Sequence, residues 1–356
     1  MNCCTNCFSD QGLKSRINAM HWDFGKCDFC ESKDGFVVKC EDLATHFDQL
    51  FELYVNHAEN SHSLDTNKTY LLDEHLQLYW SKLFNTRVLK AKDIKHLVNQ
   101  IGRGGNLFSK ALFEEPVELK VLKNTAERPA LDLQLKWQSF SEEIKEKNRF
   151  FLSEKIDNDE LQSIFERLAV TYPKDTIFYR ARISDEPLPI AQLGKPPQKS
   201  TTPGRANPVG IPYLYVSESE KTTLYETRIA LHEGITIGKY IAKEPLNLVS
   251  LKNIADYGPF EILDRGFSLE EFIQYRPYLQ SLEHELSKPV RKQDVHLDYL
   301  PTQFLCELIK SLGFDAVAYK SAMHANGYNL AIFNDEKLEC IEAKFYTVKD
   351  LEYKWI

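Results

Sequence analysis

Positive charge is in short supply along this chain: 44 Lys and Arg face 52 Asp and Glu, a net charge of -8 over 356 residues. No overall positive field exists to hold nucleic acid or an anionic membrane, so any nucleic-acid contact has to be local. Long apolar runs are missing too. No stretch approaches the ~18 apolar residues that span a bilayer, and the opening MNCCTNCFSD has neither the basic nor the apolar part of a secretory signal. A cytoplasmic protein that works off the membrane is the expectation. Glycine and proline number 15 each, too few for a collagenous or low-complexity chain. Also absent are the glycine fingerprints G-x-G-x-x-G and G-x4-G-K-[ST], the metalloprotease pattern H-E-x-x-H and the nucleophile elbow G-x-S-x-G. The nearest approach, GRGG at 102–105, follows a helical stretch and not a strand. At about 150 residues per domain, the length predicts two or three domains.

Cysteine is scarce except at one end. Six of the eight (Cys3, Cys4, Cys7, Cys27, Cys30 and Cys40) fall in the first forty residues, leaving Cys306 and Cys340 for the other 316. In a reducing compartment such clusters bind metal more often than they form structural disulfides. Cys4-x2-Cys7 and Cys27-x2-Cys30, separated by 19 residues, have zinc-ribbon spacing, in which each C-x2-C turn offers two thiolates to one tetrahedral Zn2+. Four thiolates leave no open coordination position, so the metal is a folding staple and not a catalyst. Cys3 is an alternative to Cys4, His21 lies between the pairs, and Cys40 is unassigned.

Residues 41–112 read as helical. EDLATHFDQLFELYV, LLDEHLQLYWSKLF and AKDIKHLVNQIG each repeat apolar residues at spacings of three and four. His46, His57, His62, His75 and His96 are scattered through this stretch and read as ordinary surface or core residues. Segment 113–150 alternates short apolar runs with charge and is expected to dock on the helices, and 151–170 reads as a connecting helix. From TYPKDTIFYRARI onward the texture changes. YLYVS is a strand, ESEKTTLYETRIALHEG a helix closed by Gly234, and HLDYLPTQFLCELIKSLGF a helix opened by Pro301 and capped by Gly313. DAVAYKS and YNLAIFN are further strands. Between them, 185–212 holds seven of the 15 prolines, a loop of a length usually kept for function. Strands alternating with helices predict a mixed α/β sheet. The expected division is a ribbon-like module at 1–40, a helical domain at 41–150, the connecting helix at 151–170, an α/β domain at 171–345 and a tail at 346–356.

The α/β half presents polar groups at strand ends and loop edges: Arg180 and Arg182 in FYRAR, Arg205 in PGRANP, Tyr215 in YLYVS, Glu226 in LYETR, Ser321 in AYKSA and Asn329 in GYNLAIF. Two arginines beside a glycine-bearing loop suit a diphosphate, because a guanidinium fork matches phosphate oxygens. A tyrosine face suits a flat heterocycle. A single carboxylate suits cleavage of an N-glycosidic bond, whose transition state is a cationic, oxocarbenium-like sugar.

The ordered set FYRAR, GRANPVGIPYLYVSESEKTTLYETR, YLPTQFLCELIKSLGFDAVAYKSA and GYNLAIFN, over about 171–335, resembles the RES domain, named for its Arg, Glu and Ser. The resemblance implies a fold similar to ADP-ribosyltransferase toxins and NAD+ as substrate, consumed by phosphorolysis or hydrolysis with release of nicotinamide. Some members ADP-ribosylate proteins. The family arginine matches Arg180, with Arg182 on the same strand face as the competing choice. The loop arginine matches Arg205, the tyrosine Tyr215, the glutamate Glu226, the serine Ser321, and an asparagine of the following strand Asn329. By the same resemblance Arg180, Glu226 and Ser321 are catalytic, and Arg182, Arg205, Tyr215 and Asn329 bind the dinucleotide. Residues 252–298 are longer than in compact members and are expected to add a helical insertion.

The N-terminal region resembles the HEPN-like extension of longer RES proteins. A HEPN ribonuclease needs R-x4-6-H on a helix, and Arg16-x4-His21 has that spacing but lies inside the ribbon. The whole is an α+β chain: a zinc-ribbon-like and helical region, then a mixed α/β RES domain. Its expected partners are NAD+ and an antitoxin or regulatory protein, with a second copy of the chain and nucleic acid left open. The N-terminal region is either a built-in restraint on the RES domain or itself a sensor of nucleic acid or protein.

Overall fold

The structure, a computed structural model, describes residues 1–32, 35–56, 69–105, 107–120, 129–153, 156–288 and 295–350. His57 and His62, and the tail beyond 350, lie outside them. Two compact units divide the chain. One is Met1–Leu131 with Ala255–Pro277, and the other is Asp132–Ile254 with Tyr278–Ile356.

The first unit opens with β1 (Asn2–Cys3), α1 (Gln11–Ala19), β2 (Asp23–Gly25) and β3 (Gly35–Lys39), the strands forming a small antiparallel sheet in the order β1-β3-β2. Next comes α2 (Ala44–Phe51), which stops short of the helix expected to reach Val55. The reason is local: Tyr54 and Asn56 are buried with Val55 half-exposed between them, a period of two, and β4 (Tyr54–Asn56) pairs with β5 (Val117–Leu119). Between these strands run α3 (Leu72–Tyr79), α4 (Ala91–Arg103) and α5 (Ala111–Glu114). On α4 the buried Ile94, Leu97, Val98 and Ile101 form the apolar stripe that the sequence spacing predicts. His75 hydrogen-bonds the Tyr54 hydroxyl at 3.2 Å and stacks on Tyr79, and His96 meets Gln100 at 3.2 Å. Burial draws the imidazoles of His46 and His75 below their ordinary value. His46 and His75 are half-buried packing residues, and His96 is exposed.

The second unit takes most of α6 (Pro129–Glu146), then α7 (Asn158–Arg167), β6 (Ala169–Tyr172), β7 (Ile177–Ile183), β8 (Leu214–Ser217), α8 (Glu220–Thr227), β9 (Gly234–Ala242) and β10 (Leu246–Leu251). The expected helical insertion follows as α9 (Pro259–Asp264), α10 (Leu269–Ser287) and α11 (Val295–Asp298), with α9 and α10 as far as Pro277 belonging to the first unit. Then come α12 (Leu300–Ser311), β11 (Ala316–Lys320), β12 (Tyr328–Ile332) and β13 (Leu338–Thr347). Eight strands form one mixed sheet, β13-β9-β7-β8-β12-β11-β10-β6, in which only β10 and β11 run parallel. This is the mixed α/β architecture expected.

Helix α8 ends at Thr227 and not at Gly234. Arg228 takes the left-handed conformation (φ 51°) that stops it, and Gly234 begins β9. Helix α12 has Pro301 in its first turn, and Gly313 follows at φ 88°. The core lies on one sheet face, where Phe178, Leu214, Val216, Leu248, Ala318, Leu330 and Ile332 pack together. Alternation turns the residues between them to the other face.

Candidate active site

On that second face four strands line up one row of polar side chains. Tyr319 of β11 lies opposite Asn329 of β12, Asn329 opposite Ser217 of β8, and Ser217 opposite Tyr179 of β7. Above the row is a cleft of about 460 Å³, lined among others by Arg180, Arg205, Tyr215, Glu226, Arg228 and Tyr299.

Glu226 belongs to the last turn of α8, is exposed, and holds two hydrogen bonds on one oxygen. Ser321 Oγ donates to its Oε1 at 2.5 Å and Asn329 Nδ2 at 2.7 Å. Each donor is itself fixed. Ser321 Oγ accepts from the backbone N–H groups of Met323 (3.1 Å) and His324 (3.0 Å), and Asn329 Oδ1 accepts from Ser217 Oγ at 2.7 Å. Ser217, Ser321 and Asn329 are buried. Among the described residues Oε2 has no partner, which leaves half of a rigidly held carboxylate free in an open cleft.

Arg180 donates from Nη1 to the Tyr215 carbonyl at 2.9 Å. This happens where the β7–β8 ladder has ended, since those strands share a single registered pair. Its Nε is sealed with no partner, and no carboxylate pairs with it among the described residues. Burial, with Arg182 adding repulsion, brings its guanidinium down to about 10. A desolvated cation with no counter-charge is a site that favours an anion. Arg182 sits on the same strand face but spends its guanidinium on the Gly194 carbonyl (2.7 Å) and does not line the cleft. Arg205 donates to the Lys288 carbonyl at 2.7 Å and lies 5.4 Å above the Tyr299 ring centre.

Tyr215 is used differently from a free stacking face. Its hydroxyl donates to Asn207 Oδ1 (2.7 Å) and accepts from the Ala206 N–H (3.0 Å), so it pins the loop that carries Arg205. Only glycine fits beneath: a Cβ on Gly204 would come within 2.4 Å of Asn207 Oδ1 and 2.7 Å of the Tyr215 hydroxyl.

The N-terminal thiols converge as well. The sulfurs of Cys4, Cys7, Cys27 and Cys30 all lie within 4.8 Å of one another, with Cys4–Cys30 and Cys7–Cys27 at 3.4 Å. Zn–S bonds of about 2.3 Å in a tetrahedron require sulfurs about 3.8 Å apart, so the set fits a Zn2+ ion. Cys3 is not in the set; its thiol is drawn up foremost by its hydrogen bond with Cys40, and burial adds to this. His21 is exposed and also outside it. Arg16, the other half of the R-x4-H spacing, pairs with Asp264 at 2.8 Å.

The RES domain family model matches residues 177–356, half of the chain and every residue lining the cleft. The chain belongs to the RES domain family. A second model, HEPN/RES N-terminal domain 1, matches residues 21–158. Among solved structures, a chain from the "Crystal structure of the M.tuberculosis MbcT-MbcA toxin-antitoxin complex" is similar at 13% identity and a TM-score of 0.34, over 54% of this chain and 93% of that one. No curated protein matches.

Within the RES domain the cleft collects Arg180, Arg205, Tyr215, Glu226 and Asn329, with Ser321 bonded to Glu226, and leaves out Arg182. The sequence reading missed Ser217, Arg228, Tyr299 and Tyr319. Ser217 was findable, since it falls two residues after Tyr215 on the same strand face. Tyr319 sits in the run AVAYK, which reads as a core strand, and nothing local distinguishes it.

Proposed function

We propose that the RES domain cleaves the bond between nicotinamide and ribose in NAD+, a toxin-like activity that depletes the dinucleotide. The observation that carries the reading is the pairing, in one cleft, of a guanidinium at Arg180 that has no carboxylate partner among the described residues with a half-free carboxylate at Glu226. Arg180 and Arg205 bind the diphosphate, and the Tyr215 ring borders the nicotinamide. The C1′–N bond breaks with its electron pair going to the ring nitrogen, so nicotinamide leaves neutral and needs no general acid. Glu226 stabilises the cation left at C1′. Ser321 and Asn329 keep the carboxylate aimed. An oxygen nucleophile, water or orthophosphate, then bonds to C1′ and loses its proton to solvent. Cys4, Cys7, Cys27 and Cys30 would hold Zn2+ as a structural staple of the N-terminal module. An antitoxin or the chain's own N-terminal region supplies restraint.

The test is to incubate the full chain with NAD+, with and without phosphate, and to follow nicotinamide and the sugar product by chromatography. Glu226→Gln is expected to lower turnover by roughly 100-fold or more while binding ADP-ribose as before. Full activity in that variant, or no nicotinamide release by the wild type in either buffer, rejects the mechanism.

A further inference from the structure

Tyr319 takes no part in the mechanism above, yet it is built into the same wall. It lies opposite Asn329 in the β11–β12 register, so it rises from the sheet face that carries the amide holding Glu226. Its side chain lines the cleft and is only 5% exposed. Buried tyrosine hydroxyls normally find a partner. That of Tyr215 has two, and that of Tyr240 donates to the Leu193 carbonyl at 2.8 Å. The Tyr319 hydroxyl has none among the described residues, and it is not one of the sealed polar atoms left without one, so its oxygen opens into the cleft. Burial holds the phenol well above its ordinary value, with Tyr215 adding to this, and the charges of Arg205 and Glu226 act on it with opposite signs. It is therefore a neutral O–H donor within electrostatic reach of both the anion-binding arginine and the carboxylate.

This inference rests on the NAD+ reading. With the diphosphate at the arginines and C1′ at Glu226, covalent connectivity leaves one part of the substrate between them, the nicotinamide-side ribose. We infer that Tyr319 donates a hydrogen bond to a hydroxyl of that ribose and so selects dinucleotides in which the hydroxyl is present. A site that spends a buried donor on a substrate hydroxyl discriminates against analogues lacking it, because the donor is then left unpaired.

The experiment measures calorimetric affinity of the full chain for ADP-ribose and for ADP, which lacks the second ribose, in wild type and Tyr319→Phe. Turnover of NAD+ and of its 2′-deoxy and 3′-deoxy nicotinamide-ribose analogues by the wild type is followed in parallel. Wild type is expected to prefer ADP-ribose. Tyr319→Phe should lose about fivefold to tenfold of that preference while binding ADP unchanged, which also reports an intact fold. One deoxy analogue should be turned over about tenfold less well than NAD+ by the wild type, an arm that needs no variant. If Tyr319→Phe keeps the full preference, or if both deoxy analogues match NAD+, the role of Tyr319 is overturned and the NAD+ reading stands. If the wild type neither turns over NAD+ nor binds ADP-ribose, the NAD+ reading itself is overturned and this inference with it.

Discussion

Glu226 is an awkward place for a negative charge. It occupies the last turn of α8, where unsatisfied carbonyls already carry partial negative charge, and the left-handed Arg228 ends the helix two residues later. Asn329 Nδ2 and Ser321 Oγ offset that penalty on Oε1, and each is locked by its own partner. Asn329→Asp would set a second carboxylate where the amide now donates at 2.7 Å. Two such groups share one proton, so the acid limb of the NAD+ turnover profile should move up by more than about one pH unit. A profile that keeps its shape would mean that Asn329 does not act through Glu226. Gly204 makes a separate prediction. A Cβ there meets Asn207 Oδ1 and the Tyr215 hydroxyl, two atoms hydrogen-bonded to each other at 2.7 Å, while the Asn207 amide also holds the Thr202 and Pro208 carbonyls. Neither can yield, so Gly204→Ala should displace the Arg205 loop and raise KM for NAD+ by about tenfold or more, with a smaller change in kcat.

At the scale of elements, Asp10 joins two helices of the first unit. It caps α1 by accepting from the Leu13 N–H at 3.0 Å, and accepts from the Phe260 N–H in the first turn of α9 at 2.9 Å. The approach is so close that a Cβ on Gly12 or Gly258 would strike, respectively, the α9 backbone at 2.6 Å or Asp10 Oδ2 at 2.1 Å. Asp10→Ala leaves two buried N–H groups unpaired and should cost about 2–5 kcal/mol in denaturant unfolding. Burial holds the Asp10 carboxyl above the ordinary carboxylate range, against the lowering effect of the N–H groups. The folded chain therefore keeps that proton more tightly than the unfolded chain, and this group's contribution to stability falls as pH rises out of the carboxylate range. In unfolding curves between about pH 4 and 7, the gap between wild type and Asp10→Ala should narrow as pH increases.

No local signal marks this joint, because its halves lie 250 residues apart. The same limit explains what the sequence could and could not reveal of the cleft. Glu226, Ser321 and Asn329 are legible because each belongs to a short motif at a strand or helix end. Arg180 and Arg182 are indistinguishable by alternation, which assigns both to one face. What separates them is an interrupted ladder and the carbonyl of Gly194, and both depend on where the loop returns. Strand β4 was hidden for a related reason, since its partner β5 lies more than sixty residues on and the apolar spacing of the preceding helix runs smoothly into it.

For the whole molecule, the course of the chain decides how the restraint hypothesis has to be tested. Removing residues 1–150 looks like a clean excision of the N-terminal region, but the units are not divided there. Asp132–Glu146 of α6 belongs with the RES domain, where Trp137 packs against Tyr278 and Phe140 against Phe304 with ring centres 6.5 and 4.7 Å apart. Conversely, Ala255–Pro277 belongs to the first unit, and the buried rings of Phe260, Phe267 and Phe272 are part of its core. A cut at 150 strips one core of α6 and leaves the other core's α9 without the residues it packs on. Exposing several large side chains at about 1.5–3 kcal/mol each exceeds the margin by which domains are stable. Δ1–150 should therefore be insoluble or molten whether or not the N-terminal region restrains anything, and Δ1–131 should keep α6 yet still aggregate through 255–277. Solubility and thermal unfolding of the two truncations check this; a cooperative, soluble Δ1–150 would show that the units fold independently of how the chain threads them. Restraint is better probed in the full chain with Cys7→Ser or a zinc chelator. Loss of the thiolate site should then lower the unfolding temperature of the first unit, and NAD+ turnover should rise if that unit is a brake.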